Sequence, residues 1–160
     1  MSQSADNFSK LNRYSLNSLL TKERISINIK ISSKKRMLEE LADLLSRDLP
    51  ILNQHTVFSV LNERERLGST GIGHGIALPH GRLNGIHDPI AAVMKLSQPL
   101  EFDSIDNLPI SLVIGLLVPA EATNNHLQIL SSLANAFSDP VLRKKIFAAQ
   151  DTESLFNLFT

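Results

Sequence analysis

With 160 residues, 42% of them apolar and 20% charged, the chain has the size and composition of one globular domain that buries a core. Sixteen basic residues balance sixteen acidic ones, and a formal net charge of zero marks out neither a nucleic-acid footprint nor a membrane-binding surface. Cysteine is absent, which excludes disulfides, thiolate catalysis and cysteine-ligated zinc or iron–sulfur centres.

Residues 1–15 are rich in Ser, Asn and Asp without a sustained period, and are expected to form a flexible polar leader to a single domain over 16–160. They hold no apolar signal-peptide core. Arg24 to Ile31 alternates Ile25, Ile27, Ile29 and Ile31 with polar neighbours, which predicts a strand with one buried face. Ser32 or Ser33 then caps a helix carrying Met37, Leu38, Leu41, Leu44 and Leu45 at helical spacing. A second helix is predicted from Gln54 to Leu67, with Val57, Phe58, Val60 and Leu61 inward. Its charged end, Glu63-Arg64-Glu65-Arg66, runs into Gly68, a helix stop.

Beyond a glycine-rich stretch, Ile90 to Leu96 reads as a buried strand, Leu100 to Phe102 as a short strand or edge piece, and Asp103 to Asn107 as a turn. Ile110 to Val118, bounded by prolines, is the central-strand candidate. It belongs to the longest apolar run, Pro109 to Pro119, which is too short to cross a bilayer. No direct membrane insertion and a cytoplasmic location are therefore expected. A loop leads to a helix from His126 to Phe137, Asp139-Pro140 opens another, and Asp151 or Thr152 caps a last one with Leu155, Phe156, Leu158 and Phe159. Interspersed strands and helices predict an α/β (α+β) fold, one sheet covered by helices.

Five of the seven glycines fall within Gly68 to Arg82, GSTGIGHGIALPHGR. Such a backbone is able to take positive φ and approach an anion closely. The stretch holds no Walker motif, dinucleotide fingerprint or nucleophile elbow, and HExxH and EF-hand patterns are missing from the chain. Histidine is the remaining nucleophile, with five candidates: His55, His74, His80, His87 and His126.

His80 suits that role best, braced by Pro79 and followed by Gly81, which lets the chain turn away. The bland alternative is a turn histidine beside a sheet edge. His126 sits where a strand gives way to a helix start, a favourable place for an anion, or is a solvated first-turn residue. Arg64 and Arg66 complement a helix dipole, or one of them neutralises a phosphoryl group. Ser69 and Thr70 donate hydrogen bonds to such a group or satisfy the turn. His55 and His87 read as surface residues, and His74 as a loop residue or a solvated one. Ile72, Ile76 and Leu78 form either an apolar docking rim or core.

The run Arg64-Glu65, Gly68-Ser69-Thr70-Gly71-Ile72-Gly73, Gly75-Ile76-Ala77 and Pro79-His80-Gly81 resembles the phosphorylation segment of phosphotransferase-system enzyme IIA proteins of the fructose/mannitol class. The GSTGIG form is most similar to the nitrogen-regulatory branch. Further likeness lies in Phe102-Asp103, Ile105-Asp106-Asn107, Leu117-Val118-Pro119-Ala120 and His126-Leu127, so it covers nearly the whole chain. The resemblance implies one domain with a mixed sheet flanked by helices. It implies that His80 accepts and donates a phosphoryl group through Nε2, that His126 is a second active-site histidine, and that Arg64 lies near the phosphate. Ser69, Thr70 and Gly81 match the phosphate-binding positions.

Two departures stand out: position 74 is usually Asn in the family and is His74 here, and the turn from Leu83 to Asp88 is slightly short. The implied partners are a phosphocarrier of the HPr or NPr type and regulated target proteins of nitrogen or potassium physiology. The implied role is a phosphoryl carrier and not a stand-alone turnover enzyme, and it needs no metal or cofactor because the donor arrives as phosphohistidine. The alternative is a free-standing sugar-specific enzyme IIA that passes phosphate to a IIB component.

Overall fold

The structure, a computed structural model, describes residues 19–121 and 124–159, with the side chains at 125–127 outside that description. The expected leader over 1–15 therefore lies outside the described residues. A six-stranded mixed sheet forms the middle layer. Its strands are β1 (Ile25–Ile29), β2 (Gly71–Gly73), β3 (Ile76–Ala77), β4 (His80–Leu83), β5 (Ile90–Leu100) and β6 (Ile110–Pro119). Among the described residues it is covered by the α-helices α1 (Lys34–Ser46), α2 (Gln54–Leu67), α3 (Asn124–Ala136), α4 (Pro140–Ala148) and α5 (Thr152–Leu158). The α/β fold with a mixed, helix-flanked sheet is thus as the sequence predicts.

β6 occupies the centre. One of its edges runs antiparallel to β5, which in turn holds β1 in parallel. Its other edge is shared end to end by β3 and β4, both parallel to it, and β3 holds β2 antiparallel. Nine of the ten residues of β6, Ser111 excepted, are buried. A strand covered on both faces needs apolar residues without alternation, which is why this segment reads as a continuous hydrophobic run.

Two cores result. Met37, Leu38, Leu41 and Leu45 of α1 and Val57 and Leu61 of α2 pack on Ala92, Met94, Val113 and Leu117. On the opposite face Ile129 and Leu133 of α3, Ile146 of α4 and Leu155 of α5 pack on Val93, Leu112, Ile114 and Leu116. Gly115 lets α1 approach the sheet, since a Cβ there would meet Leu41 Cδ1 at 2.8 Å. The helix starts are capped as their side chains predict: Ser33, Asn53, Asp139 and Asp151 each accept a backbone N–H of the first turn.

Three elements differ from expectation. β5 continues through Ser97-Gln98-Pro99 to Leu100, so Leu100 ends that strand and starts no separate one. The glycine-rich stretch contains three short strands. And β1 does not bury a single face. Asn28 takes φ 60° and is an extra residue in the pairing, because Ile27 lies opposite Lys95 while Ile29 lies opposite Leu96. Such a bulge inverts the alternation. Ile25 and Ile27 therefore join the core under α3–α5, whereas Ile29 and Ile31 join the one under α1 and α2.

Asparagine tolerates the left-handed region and a β-branched residue does not. Asn28→Gly should leave urea stability nearly unchanged, whereas Asn28→Val should cost about 1–2 kcal/mol. Equal stabilities for the two variants would contradict the bulge.

Candidate active site

The site is built on the edge of β6. Ile76 and Ala77 pair with Leu112 and Val113, and His80 and Gly81 pair with Leu116 and Leu117 in the same register. β3 and β4 are therefore one strand interrupted at Leu78-Pro79, where proline has no N–H to offer. Pro79 still accepts from the Leu116 N–H at 3.0 Å, and the Leu78 N–H reaches back to the Thr70 carbonyl at 2.9 Å. Neighbouring residues of a strand point their polar groups to opposite sides. The Leu78 carbonyl thus faces away from β6, beyond the point where β2 ends.

His80 uses that carbonyl. Its Nδ1 lies 2.7 Å from Leu78 O. A carbonyl only accepts, so Nδ1 carries the proton and a neutral ring holds its lone pair on Nε2. The ring is half-buried, and burial pushes its pKa below the ordinary histidine value. The Leu78 hydrogen bond acts in the opposite direction, Arg64 lowers it further, and Glu65 raises it. The neutral form is favoured, as a nitrogen nucleophile requires.

Gly81 brings α2 to this strand. A Cβ at Gly81 would lie 2.3 Å from Val60 Cγ1, so the glycine is needed for the close approach. One turn further along α2, Arg64 lines two clefts together with His80 and Leu130 of α3. The Arg64 guanidinium Nη1 donates to Gly68 O at 2.8 Å, closing the helix end.

The charged end of α2 conceals a core position. Glu65 continues the buried stripe of Val57 and Leu61 at helical spacing, and its side chain is only 5% exposed. Its carboxylate accepts from Thr70 Oγ1 at 2.6 Å and from Thr70 N, and pairs with Lys34 Nζ at 2.8 Å. Lys34 also lies over the Phe102 ring, 4.3 Å from its centroid. A buried charge needs such partners. The sequence places Glu65 only in the charged end of the helix and gives it no role; its spacing from Val57 and Leu61 is the signal that finds it.

The structure engages both hydroxyls of the glycine-rich stretch. Thr70 donates to Glu65, and Ser69 Oγ donates to Phe102 O at 2.9 Å while accepting from the Gly71 N–H. Each hydroxyl has one hydrogen, so neither has a donor to offer an anion in this arrangement. The glycines are used in folding as well. His74 and Gly75, at φ 59° and 78°, form the two-residue turn of the β2–β3 hairpin, and two positive φ values define a type I′ turn. His74 is exposed, with its N–H bonded to Asp106 Oδ2 at 2.9 Å. Asn and His are both enriched in left-handed conformations, which accounts for the replacement at this position.

His126 lies in the first turn of α3, and its side chain is outside the described residues. Positions 126, 130 and 134 follow one another at four-residue spacing along α3, and Leu130 and Ala134 line the cleft with His80. His55 and His87 are exposed, and no three acidic or histidine side chains among the described residues assemble as a metal site. Ile76 and Leu78 are core; Ile72 is half-buried in the cleft wall. The exposed apolar residue at the rim is Leu67, with 85% of its surface accessible.

A family model described as "Phosphoenolpyruvate-dependent sugar phosphotransferase system, EIIA 2" matches residues 18–160. The chain is 42% identical over 143 residues to a nitrogen regulatory protein of Pseudomonas aeruginosa, covering 89% of this chain and 93% of that protein. With a nitrogen regulatory protein of Escherichia coli (strain K12) it shares 40% identity over 148 residues, covering 91% of this chain and 89% of that one. The crystal structure of nitrogen regulatory protein IIA-Ntr from Neisseria meningitidis matches with a TM-score of 0.85 at 38% identity, over 91% of this chain and 99% of that chain.

The close contact of α2 with β4 is open to a direct check. Gly81→Ala should lower urea stability by about 1–3 kcal/mol through overpacking, and adding Val60→Ala should restore most of it. No loss in the single variant, or no recovery in the double, would contradict the packing.

Proposed function

The chain belongs to the EIIA 2 family of the phosphoenolpyruvate-dependent sugar phosphotransferase system, and from that premise we propose that it is a phosphoryl carrier of a nitrogen-regulatory relay. His80 receives the group on Nε2 from an HPr- or NPr-type phosphocarrier, and the resulting phosphorylation state regulates partner proteins in the cytoplasm. The observation that carries this reading is the Nδ1 bond of His80 to Leu78 O, which leaves Nε2 as the nucleophilic atom. The relatives named nitrogen regulatory protein support the regulatory branch over sugar delivery through a IIB component.

In the transfer, the Nε2 lone pair forms a bond to phosphorus while the donor's N–P bond breaks. That electron pair returns to the donor imidazole. The proton stays on His80 Nδ1, hydrogen-bonded to Leu78 O, and that bond stabilises the positive charge the ring develops. Positioning and charge stabilisation supply most of the rate in such a reaction. Arg64, which lines the cleft with His80, forks onto two phosphoryl oxygens. His126, on the facing helix, is the second histidine of the site. Ser69 and Thr70 hold the segment through Phe102 O and Glu65, and Gly81 seats α2. The donor is already activated, so the reaction calls for no metal or cofactor.

Incubation with phosphoenolpyruvate, enzyme I and the phosphocarrier should add the mass of one phosphoryl group, acid-labile and alkali-stable. His80→Ala should lose it, and full labelling of that variant would remove the assignment. The lowered pKa of His80 fixes the pH response: neutral imidazole attacks and imidazolium does not. The acceptance rate should be flat around neutrality and fall only on acidification, with its midpoint below the value of about 6.5 for free histidine. A midpoint above that value would contradict the buried, carbonyl-bonded ring.

A further inference from the structure

His80 stands between two clefts of different character. One, of about 370 Å³, is walled by Val60, Leu67, Val118 and Leu130 with charged groups at its rim, and among the described residues no hydroxyl lines it. The other, of about 270 Å³, is lined by Ser69, Thr70 and Ser131 beside His80 and Arg64. Two of these three hydroxyls already donate within the fold, Ser69 to Phe102 O and Thr70 to Glu65. Ser131 differs. It is exposed, on α3, and lines the cleft together with Arg64 of α2 and His80, and a serine hydroxyl rotates freely to an incoming acceptor.

A transferring phosphoryl group presents three equatorial oxygens. A guanidinium fork satisfies two, which leaves one for the wall that α3 supplies. Resting on the carrier reading above, we propose that Ser131 is a further catalytic residue, donating its hydroxyl hydrogen to a phosphoryl oxygen as the group moves onto His80. Ser131 forms no bond to phosphorus and gives up no proton; its O–H shortens onto the oxygen as charge gathers there. The hydroxyl-bearing cleft is thereby the phosphoryl side of the ring, and the apolar cleft is left for the partner protein.

The test is single-turnover transfer from the phosphorylated carrier, followed by intact mass at several carrier concentrations. Ser131→Ala should slow the maximal rate about tenfold or more, as expected for a lost hydrogen bond to a charged acceptor. Half-saturation by the carrier should not change. Ser131→Thr, which keeps the hydroxyl, should restore most of the rate. Alanine at an exposed helical position should leave the thermal midpoint unchanged or slightly raised, separating catalysis from folding. A parent-like rate in Ser131→Ala would overturn the assignment, as would a Thr variant as slow as the Ala variant, or an effect confined to half-saturation. Failure of the unsubstituted protein to accept any label would instead overturn the carrier reading on which the assignment rests.

Discussion

The structure depends on one backbone carbonyl that no neighbouring strand pairs. Pro79 interrupts the edge strand on β6 without shifting its register, and the preceding carbonyl, Leu78 O, is left beyond the reach of β2. An edge carbonyl with no strand partner calls for another donor. The imidazole two residues later supplies it through Nδ1. A single hydrogen bond thus satisfies the backbone, fixes the ring's orientation and selects its tautomer. The two-residue spacing from Leu78 to His80, where the edge strand has left β2, is the local cause of all three.

What surrounds the ring is arranged by packing at positions that tolerate no side chain or only one charge. Gly81 admits α2 against β4, and Gly115 admits α1 against β6. α2 then delivers Arg64 to the cleft, while the neighbouring Glu65 turns inward. The buried carboxylate would be costly alone. Lys34 from α1 and both donors of Thr70 compensate it, and so tie α1, α2 and the start of β2 into one unit. The arginine and the histidine are held by different elements whose relative position this network fixes. Preorganisation of that kind is what a transfer reaction with little covalent chemistry of its own requires.

Much of this was legible in the sequence, and the failures have physical causes. β6 declared itself by its unbroken apolar run, and α1 and α2 by periodicity and caps. Pro79-His80-Gly81 pointed to the segment where the candidate site is built. β1 misled because four alternating isoleucines look like one face, and only the left-handed Asn28 distributes them over two. The glycines suggested an anion cradle, yet Gly75 serves a type I′ turn with His74, and Gly81 a helix contact. Composition shows that a backbone is permissive and does not show what the permission is used for. Glu65 was hidden among charged neighbours, where identity outweighed spacing. The hydroxyls of Ser69 and Thr70 were visible, but their partners, Phe102 O and Glu65, depend on contacts across the fold.

The central claim is that the proton of neutral His80 resides on Nδ1 and leaves Nε2 free to react. Long-range proton–nitrogen NMR correlation of the His80 ring near neutral pH reads this directly. A protonated Nδ1 and a pyridine-like Nε2 signal are predicted, together with loss of that pattern on phosphorylation. A ring protonated on Nε2 under the same conditions would contradict the account at its root.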